Sequence, residues 1–275
     1  MSSLAPALFG GASVERARHH VAWVLRYREL VRNFVVRDLK ARYKNSFLGF
    51  LWSLANPLLM MAVFTVVFTT LSPQHIDRYP VFILSGLLAW NWCAASVLGG
   101  VYSITGNAHL IKKVAFPREL LPLSSVLSNG VNFSLALLPL LLIAWLYGLP
   151  PSIYLLLLPL VMAVQLVFLT GLALFLGCLN VYFRDTEPIV DVLLLAWFFL
   201  TPIFYTVENL SGQYSRIMYI LNPMASFISL YRLIFYYHAS TDLAFFLRMT
   251  AQALLVFALG YLFFLWRAPD FGEEV

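Results

Sequence analysis

Between residues 37 and 71 the chain passes from a dense mixture of charges into hydrocarbon within a few positions, RDLKARYKNSFLGFLWSLANPLLMMAVFTVVFTTL. From position 47 to position 71 there is no charged side chain. A helix rising ~1.5 Å per residue needs ~20 such residues to cross a ~30 Å apolar core. The junction is therefore expected to begin a membrane crossing. Arg37, Lys40, Arg42 and Lys44 stand just before it, where cytoplasmic loops concentrate lysine and arginine, which places that flank inside the cell.

The rest of the chain obeys the same constraint. Of its 275 residues 61% are hydrophobic and 11% charged, against about 25% charged in soluble domains. Long apolar runs without alternating ~10-residue strands point to an all-α polytopic membrane protein rather than a barrel. Six spans are expected, over residues 48–71, 81–104, 121–147, 152–179, 189–205 and 243–266. With the N-terminus inside, fourteen of the eighteen lysines and arginines fall on the cytoplasmic side; only Arg78, Arg216, Arg232 and Arg248 fall opposite. Both termini are thus expected in the cytoplasm. The net charge of +5 reflects this topology, and nucleic acid is not an expected partner because no soluble basic domain exists.

Residues 1–25 read as a loosely ordered cytoplasmic lead without a cleavable signal, since the weakly apolar residues precede Arg16 and Arg18. The adjacent His19 and His20 lack companions at ligand spacing, so no metal site is expected there. Residues 26–46 have helical periodicity. Tyr27, Leu30, Val31, Phe34, Val35 and Leu39 share one side, with Arg26, Glu29, Arg37, Lys40 and Lys44 opposite, as in a helix lying in the membrane interface. Asp38 and Arg42 fall on the apolar side at i, i+4, where they either neutralise each other or reach a partner.

Within the single membrane domain, residues 47–267, two connections stand out. Residues 105–120 form a cytoplasmic loop that can hold a short amphipathic helix ending near Phe116 and Pro117, with Lys112, Lys113, Arg118 and Glu119 offered to water, a lipid surface or a protein. Residues 208–240 contain two apolar segments, 214–221 and 224–237, each too short to cross and separated by Asn222-Pro223. They read either as half-helices re-entering the outer leaflet, near Tyr214 and Tyr219, or as a cap on the outer surface. Residues 268–275 form a cytoplasmic tail.

Catalytic machinery is largely missing. No G-x-x-x-x-G-K-[ST], H-E-x-x-H, C-x-x-C or G-x-S-x-G occurs, so no catalytic residue is assigned. Asp185, Glu187 and Asp191 either hold a metal over a lipid phosphate or form a solvated loop at a helix N-terminus. Cys93 and Cys178 read as small buried hydrophobes. Inside the spans Asn91, Gln165 and the stripe Ser125, Ser128, Asn129 and Asn132 suit interhelical hydrogen bonding, and none is ionisable, which argues against a proton-driven pump. The aromatics Phe47, Phe50, Trp52, Trp197, Phe198, Phe199, Phe204 and Tyr205 are either packing and belt residues or flat faces along which sugar rings slide.

The segments RDLKARYKNSFLGFLWSLANPLL, LIKKVAFPRELLPL, LNVYFRDTEPI, FFLTPIFYTVENL and YILNPM, in this order, closely resemble the membrane subunit of type 2 ATP-binding-cassette polysaccharide exporters, the Wzm-like permeases for O-antigen, capsule or teichoic acid. The resemblance implies a homodimer in the bacterial inner membrane carrying two copies of a separate ATPase chain. ATP and magnesium would reside on that ATPase, with no cofactor here. It implies an interface helix including Arg37, Asp38, Arg42 and Lys44, and ATPase coupling through Leu110, Ile111, Lys112, Lys113, Phe116, Pro117, Arg118 and Glu119. It further implies outer-gate helices including Tyr214, Tyr219, Asn222 and Pro223, and a glycan on a polyprenyl-diphosphate carrier as substrate. A type 2 exporter of drugs or lipids, a membrane enzyme acting on polyprenyl-phosphate sugars, and a non-transporting scaffold remain alternatives.

Overall fold

Apolar segments of this length close their backbone hydrogen bonds within themselves when surrounded by hydrocarbon, and helices are the local solution. The computed structural model describes residues 27–43, 51–71, 76–114, 116–207, 212–268 and 271, and among them there is no strand. The order is α1 (Arg28–Tyr43), α2 (Leu51–Leu71), α3 (Tyr79–Thr105), α4 (Ala108–Lys113), α5 (Leu120–Leu146), a 3-10 turn (Ile153–Leu157) leading into α6 (Leu158–Tyr182), α7 (Thr186–Leu200), α8 (Gly212–Leu221), α9 (Pro223–Arg232) with a π-helical turn (Leu233–Tyr237), and α10 (Leu243–Arg267).

Among the described residues four helices are long and apolar enough to cross a membrane: Tyr79–Thr105, Leu120–Leu146, Ile153–Tyr182 and Leu243–Arg267. The chain is a multi-pass helical protein. The expected first span corresponds to the 21-residue α2, whose apolar stretch is Leu54–Thr70. The expected fifth span over 189–205 is not a single helix, because α7 has 15 residues and stops at Leu200. Its cause is Thr201-Pro202: a residue before proline is pushed out of the helical region, and Thr201 is extended at φ −96°, ψ 138°.

The centre of the bundle is α3, which packs against α2, α5, α6, α7 and α9. Val81, Phe82, Ile83 and Ala89 on it are fully buried. Polar side chains pin its neighbours. Gln165 Nε2 donates to Ala89 O at 3.1 Å and Gln165 Oε1 accepts from Tyr231 OH at 2.8 Å, joining α3, α6 and α9. Asn180 Nδ2 donates to Val101 O at 3.0 Å, and Trp92 Nε1 to Val126 O at 3.3 Å. In hydrocarbon, helix association rests on such bonds and on close packing of small residues.

The tightest approach is α6 against α10, where a Cβ on Gly260 would overlap Gly171 O and one on Gly171 would overlap the backbone of Phe257. The Gly260→Ala substitution is predicted to force these helices apart and to destabilise the protein by at least the ~1–3 kcal/mol typical of overpacking. Gly212→Ala, which meets nothing within 4 Å, should leave the melting temperature in detergent unchanged.

Candidate functional site

At the basic end of the bundle, α1, α4 and the segment after α4 are fastened to the helix ends. Phe34 on α1 is 8% exposed and meets Phe116 with ring centroids 5.9 Å apart. Both belong to an apolar cluster with Ile104, Ile111, Leu121, Cys178, Phe264 and partly buried Leu30 and Leu110. Arg37 Nη1 donates to Asn107 Oδ1 at 3.0 Å, and Asn107 Nδ2 donates to Ser103 O at 2.7 Å, tying α1 to the turn between α3 and α4. The Asp38 carboxylate pairs with Arg37 at 3.0 Å, so the i, i+4 pair expected with Arg42 is replaced by one with the adjacent residue. Lys44, Phe47 and Phe50 lie outside the described residues.

The segment expected to couple divides in two. His109, Lys112, Lys113 and Val114 are exposed, whereas Ile111 and Pro117 are buried. Arg118, expected to face water, turns inward, donates to Ala268 O at the end of α10 and lies over the Phe271 ring. Glu119 is likewise half-buried at the start of α5. Arg118 departs from the expected exposure because its guanidinium reaches Ala268 O and the Phe271 ring, a long-range contact that local periodicity does not report. Asp185, Glu187 and Asp191 are all exposed, and the described residues contain no cluster of three or more His, Cys, Asp or Glu able to hold a metal.

At the opposite end the break after Leu200 is the centre of a side-chain network. Carbonyls from 200 to 205 have lost their helical donors, and each of them acquires another. Asn222 Nδ2 lies 3.5 Å from Leu200 O and 2.9 Å from Thr201 Oγ1, while Asn222 Oδ1 accepts from Trp197 Nε1 at 2.9 Å. Thr201 O accepts from Ile203 N at 2.7 Å. Arg232 donates to Pro202 O at 2.7 Å, Ile203 O at 2.6 Å and Tyr205 O at 3.3 Å, and Tyr79 OH donates to Phe204 O at 3.3 Å. Arg232 is 3% exposed, also reaches Phe82 O at 3.4 Å, and stacks on the Phe82 ring at 3.5 Å. It makes no ion pair among the described residues. Sequence reading counted Arg232 only as an outer charge; Pro202, which strips carbonyls of partners, was the available signal for a buried donor.

Around this network Phe204 stacks on Phe68 at 5.0 Å and meets Phe64 at 4.7 Å and Phe198 at 5.2 Å, and Trp90 meets Trp197 at 5.5 Å. Phe204 is thus buried between helices of one chain; Phe199 is exposed, Tyr205 half-buried and Trp52 exposed at the other end. Tyr214 is exposed on α8, whereas Tyr219 pairs with Ser229 at 3.1 Å and meets the Phe245 ring at 5.2 Å. Pro223 opens α9, its fixed φ suited to a first turn.

This geometry is that of a multi-pass helical membrane protein with one interrupted helix, a pair of short helices fastened to the interruption, and a basic end held mainly by apolar packing. The profile of the ABC-2 type transporter matches residues 29–236, and the chain belongs to that family. It is 40% identical over 249 residues to the O-antigen export system permease protein RfbA of Myxococcus xanthus, covering 90% of this chain and 93% of that one. A Klebsiella pneumoniae protein of the same description is 36% identical over 200 residues, 72% of this chain and 77% of its own. The polysialic acid transport protein KpsM of Escherichia coli is 22% identical over 211 residues, covering 74% and 79%.

Replacing Arg232 tests the network. Lysine keeps the charge but offers a point in place of a fork, so Arg232→Lys should lose at least two bonds worth ~1.5–3 kcal/mol each and lower the melting temperature of the purified protein markedly. Tyr79→Phe, which removes one neutral bond, should cost only ~0.5–1.5 kcal/mol.

Proposed function

We propose that this chain is the permease subunit of an ATP-driven exporter, moving a polyprenyl-diphosphate-linked polysaccharide such as O-antigen from the cytoplasm across the bacterial inner membrane. The observation that carries this reading is the 40% identity to an O-antigen export permease across 90% of the chain. In this proposal α2 and α7 complete six crossings with the four long helices, α1 lies in the interface, and α8 and α9 re-enter the outer leaflet. Two copies form the passage. Support comes from the outward faces of α2 and α7, where Leu59, Val63, Val66, Val192, Leu193 and Phe199 are exposed in the single chain, since a second copy would cover apolar surface of this kind.

The chain has no phosphate-binding loop, so hydrolysis belongs to two copies of a separate ATPase, which holds ATP and magnesium. Exposed Lys112, Lys113 and Val114 would receive the push of that subunit. Buried Ile111 and the Arg37–Asn107 bond would pass it to α3 and α1 together. Arg118 and Glu119 act in this scheme by keeping the lever attached to α5 and α10. The exposed carboxylates Asp185, Glu187 and Asp191 have no part in it.

Deleting the gene should remove the polysaccharide from the cell surface, and restoring it should return the polysaccharide only alongside the partner ATPase. Surface polysaccharide unchanged by deletion would refute the proposal. The double substitution Lys112→Glu, Lys113→Glu should leave melting temperature and dimer formation intact while lowering export and transport-linked ATP hydrolysis by tenfold or more. Arg118→Ala should instead lower the melting temperature, a difference that separates docking from attachment.

A further inference from the structure

The largest cavity described has a volume of about 580 Å³ and lies between the ends of α1 and α2 and the facing sides of α3 and α5. That size falls within the ~300–1,000 Å³ of small-ligand sites. Its composition is unusual for a space among membrane helices. Arg42 stands with Trp52 near the basic end, Asn56 one turn further along α2, and Asn91 and Asn129 deeper, with Trp92 as part of the wall. The indole of Trp92 is itself fixed by the bond to Val126 O and by stacking on Phe133 at 4.9 Å.

Arg42, Asn56 and Asn91 make no hydrogen bond or ion pair with any described residue. Asn129 spends its Nδ2 on Ser125 O at 3.0 Å and leaves its buried Oδ1 without a partner. Elsewhere in the bundle the interhelical amides, Gln165, Asn180 and Asn222, are bonded to other helices. Asn129 is buried and Asn91 half-buried, while Asn56 and Arg42 are exposed at the mouth. An unspent amide set against hydrocarbon costs several kcal/mol, so an acyl chain is an unsuitable occupant of the inner part. Amides that both donate and accept match hydroxyl groups, a guanidinium matches phosphate, and indole faces match the apolar faces of a sugar ring.

We propose that this cavity recognises the head group where a sugar joins a phosphorylated lipid, with Arg42 engaging the phosphate and Asn56 and Asn91 the sugar hydroxyls. The inference rests on the reading of the chain as a permease for lipid-linked glycans and adds a selectivity site within each protomer, apart from any passage between two copies. Phosphatidylglycerol, with a phosphate and glycerol hydroxyls, shares part of this chemistry, and the test separates the two sources.

The experiment measures equilibrium binding of radiolabelled farnesyl-diphosphate-N-acetylglucosamine to the permease–ATPase complex in nanodiscs. Asn56→Ala with Asn91→Ala should weaken binding of this probe at least tenfold while leaving farnesyl diphosphate unaffected, and Arg42→Gln should weaken both probes. A cysteine placed on the wall, Ala95→Cys, should react with a water-soluble maleimide and be protected by the sugar-bearing probe, which keeps the test valid if an asparagine variant folds poorly. Wild-type affinity in the amide variants, absence of protection at Ala95→Cys, or displacement of the probe by equimolar phosphatidylglycerol would overturn the proposal. Should deletion of the gene abolish surface polysaccharide while protection is absent, the site fails and the permease reading stands. Should deletion leave surface polysaccharide intact, both fail.

Discussion

A backbone carbonyl in hydrocarbon has no water to turn to, and the structure depends on how this is met where α7 stops at Leu200. Pro202 cannot donate, and the extended Thr201 ends the ladder. The run of carbonyls from Leu200 to Tyr205, left without helical donors, is taken up by Asn222, Ile203 N, Arg232 and Tyr79. Apart from Ile203 N, which lies within the run, these donors come from α3, from the turn between α8 and α9, and from the end of α9. Interrupting one helix therefore fastens three other elements to it. The arginine is stable without a carboxylate because four carbonyls and the Phe82 ring surround its charge with partial negative charge.

The two ends of the bundle are built differently. At the interrupted end the links are mainly hydrogen bonds to backbone; at the basic end apolar contacts around Phe34, Ile111 and Phe116 are joined by polar bonds from Arg37, Arg118, Asn180 and Tyr182. Directional bonds fix the orientation of α9 against α7. Apolar contacts transmit displacement while tolerating small sliding. In the proposed scheme the basic end would serve as the lever and the interrupted end as the hinge. The chain belongs to the ABC-2 type transporters, and that family implies an ATPase partner.

The long helices were legible from hydropathy alone: residues 81–104, 121–147 and 243–266 were expected, and Tyr79–Thr105, Leu120–Leu146 and Leu243–Arg267 are found. The short pair around Asn222-Pro223 was also readable, since a proline at a first helical position marks a start. Three things were not. Hydropathy averages over Pro202 and so extended the fifth span to 205, although that single residue decides where α7 ends. Asp38 was matched to Arg42 by helical spacing, whereas Arg37 is held in place by Asn107, seventy positions away, and captures the carboxylate. Arg118 looked solvated because nothing local indicates that Ala268 O and the Phe271 ring meet its guanidinium. In the first case one local residue outweighs the hydropathy average; in the other two a contact distant in sequence overrides a local pattern.

The central claim is that this chain forms half of a passage whose driving force comes from another subunit. Its most direct test is reconstitution of the purified permease and its ATPase in proteoliposomes, with lipid-linked polysaccharide in the outer leaflet, the ATPase facing outward, and the lumen sampled for glycan protected from an added glycosidase. The account predicts protected glycan only when both proteins and hydrolysable ATP are present. Protected glycan accumulating with the permease alone, or none accumulating with the complete system, would contradict it.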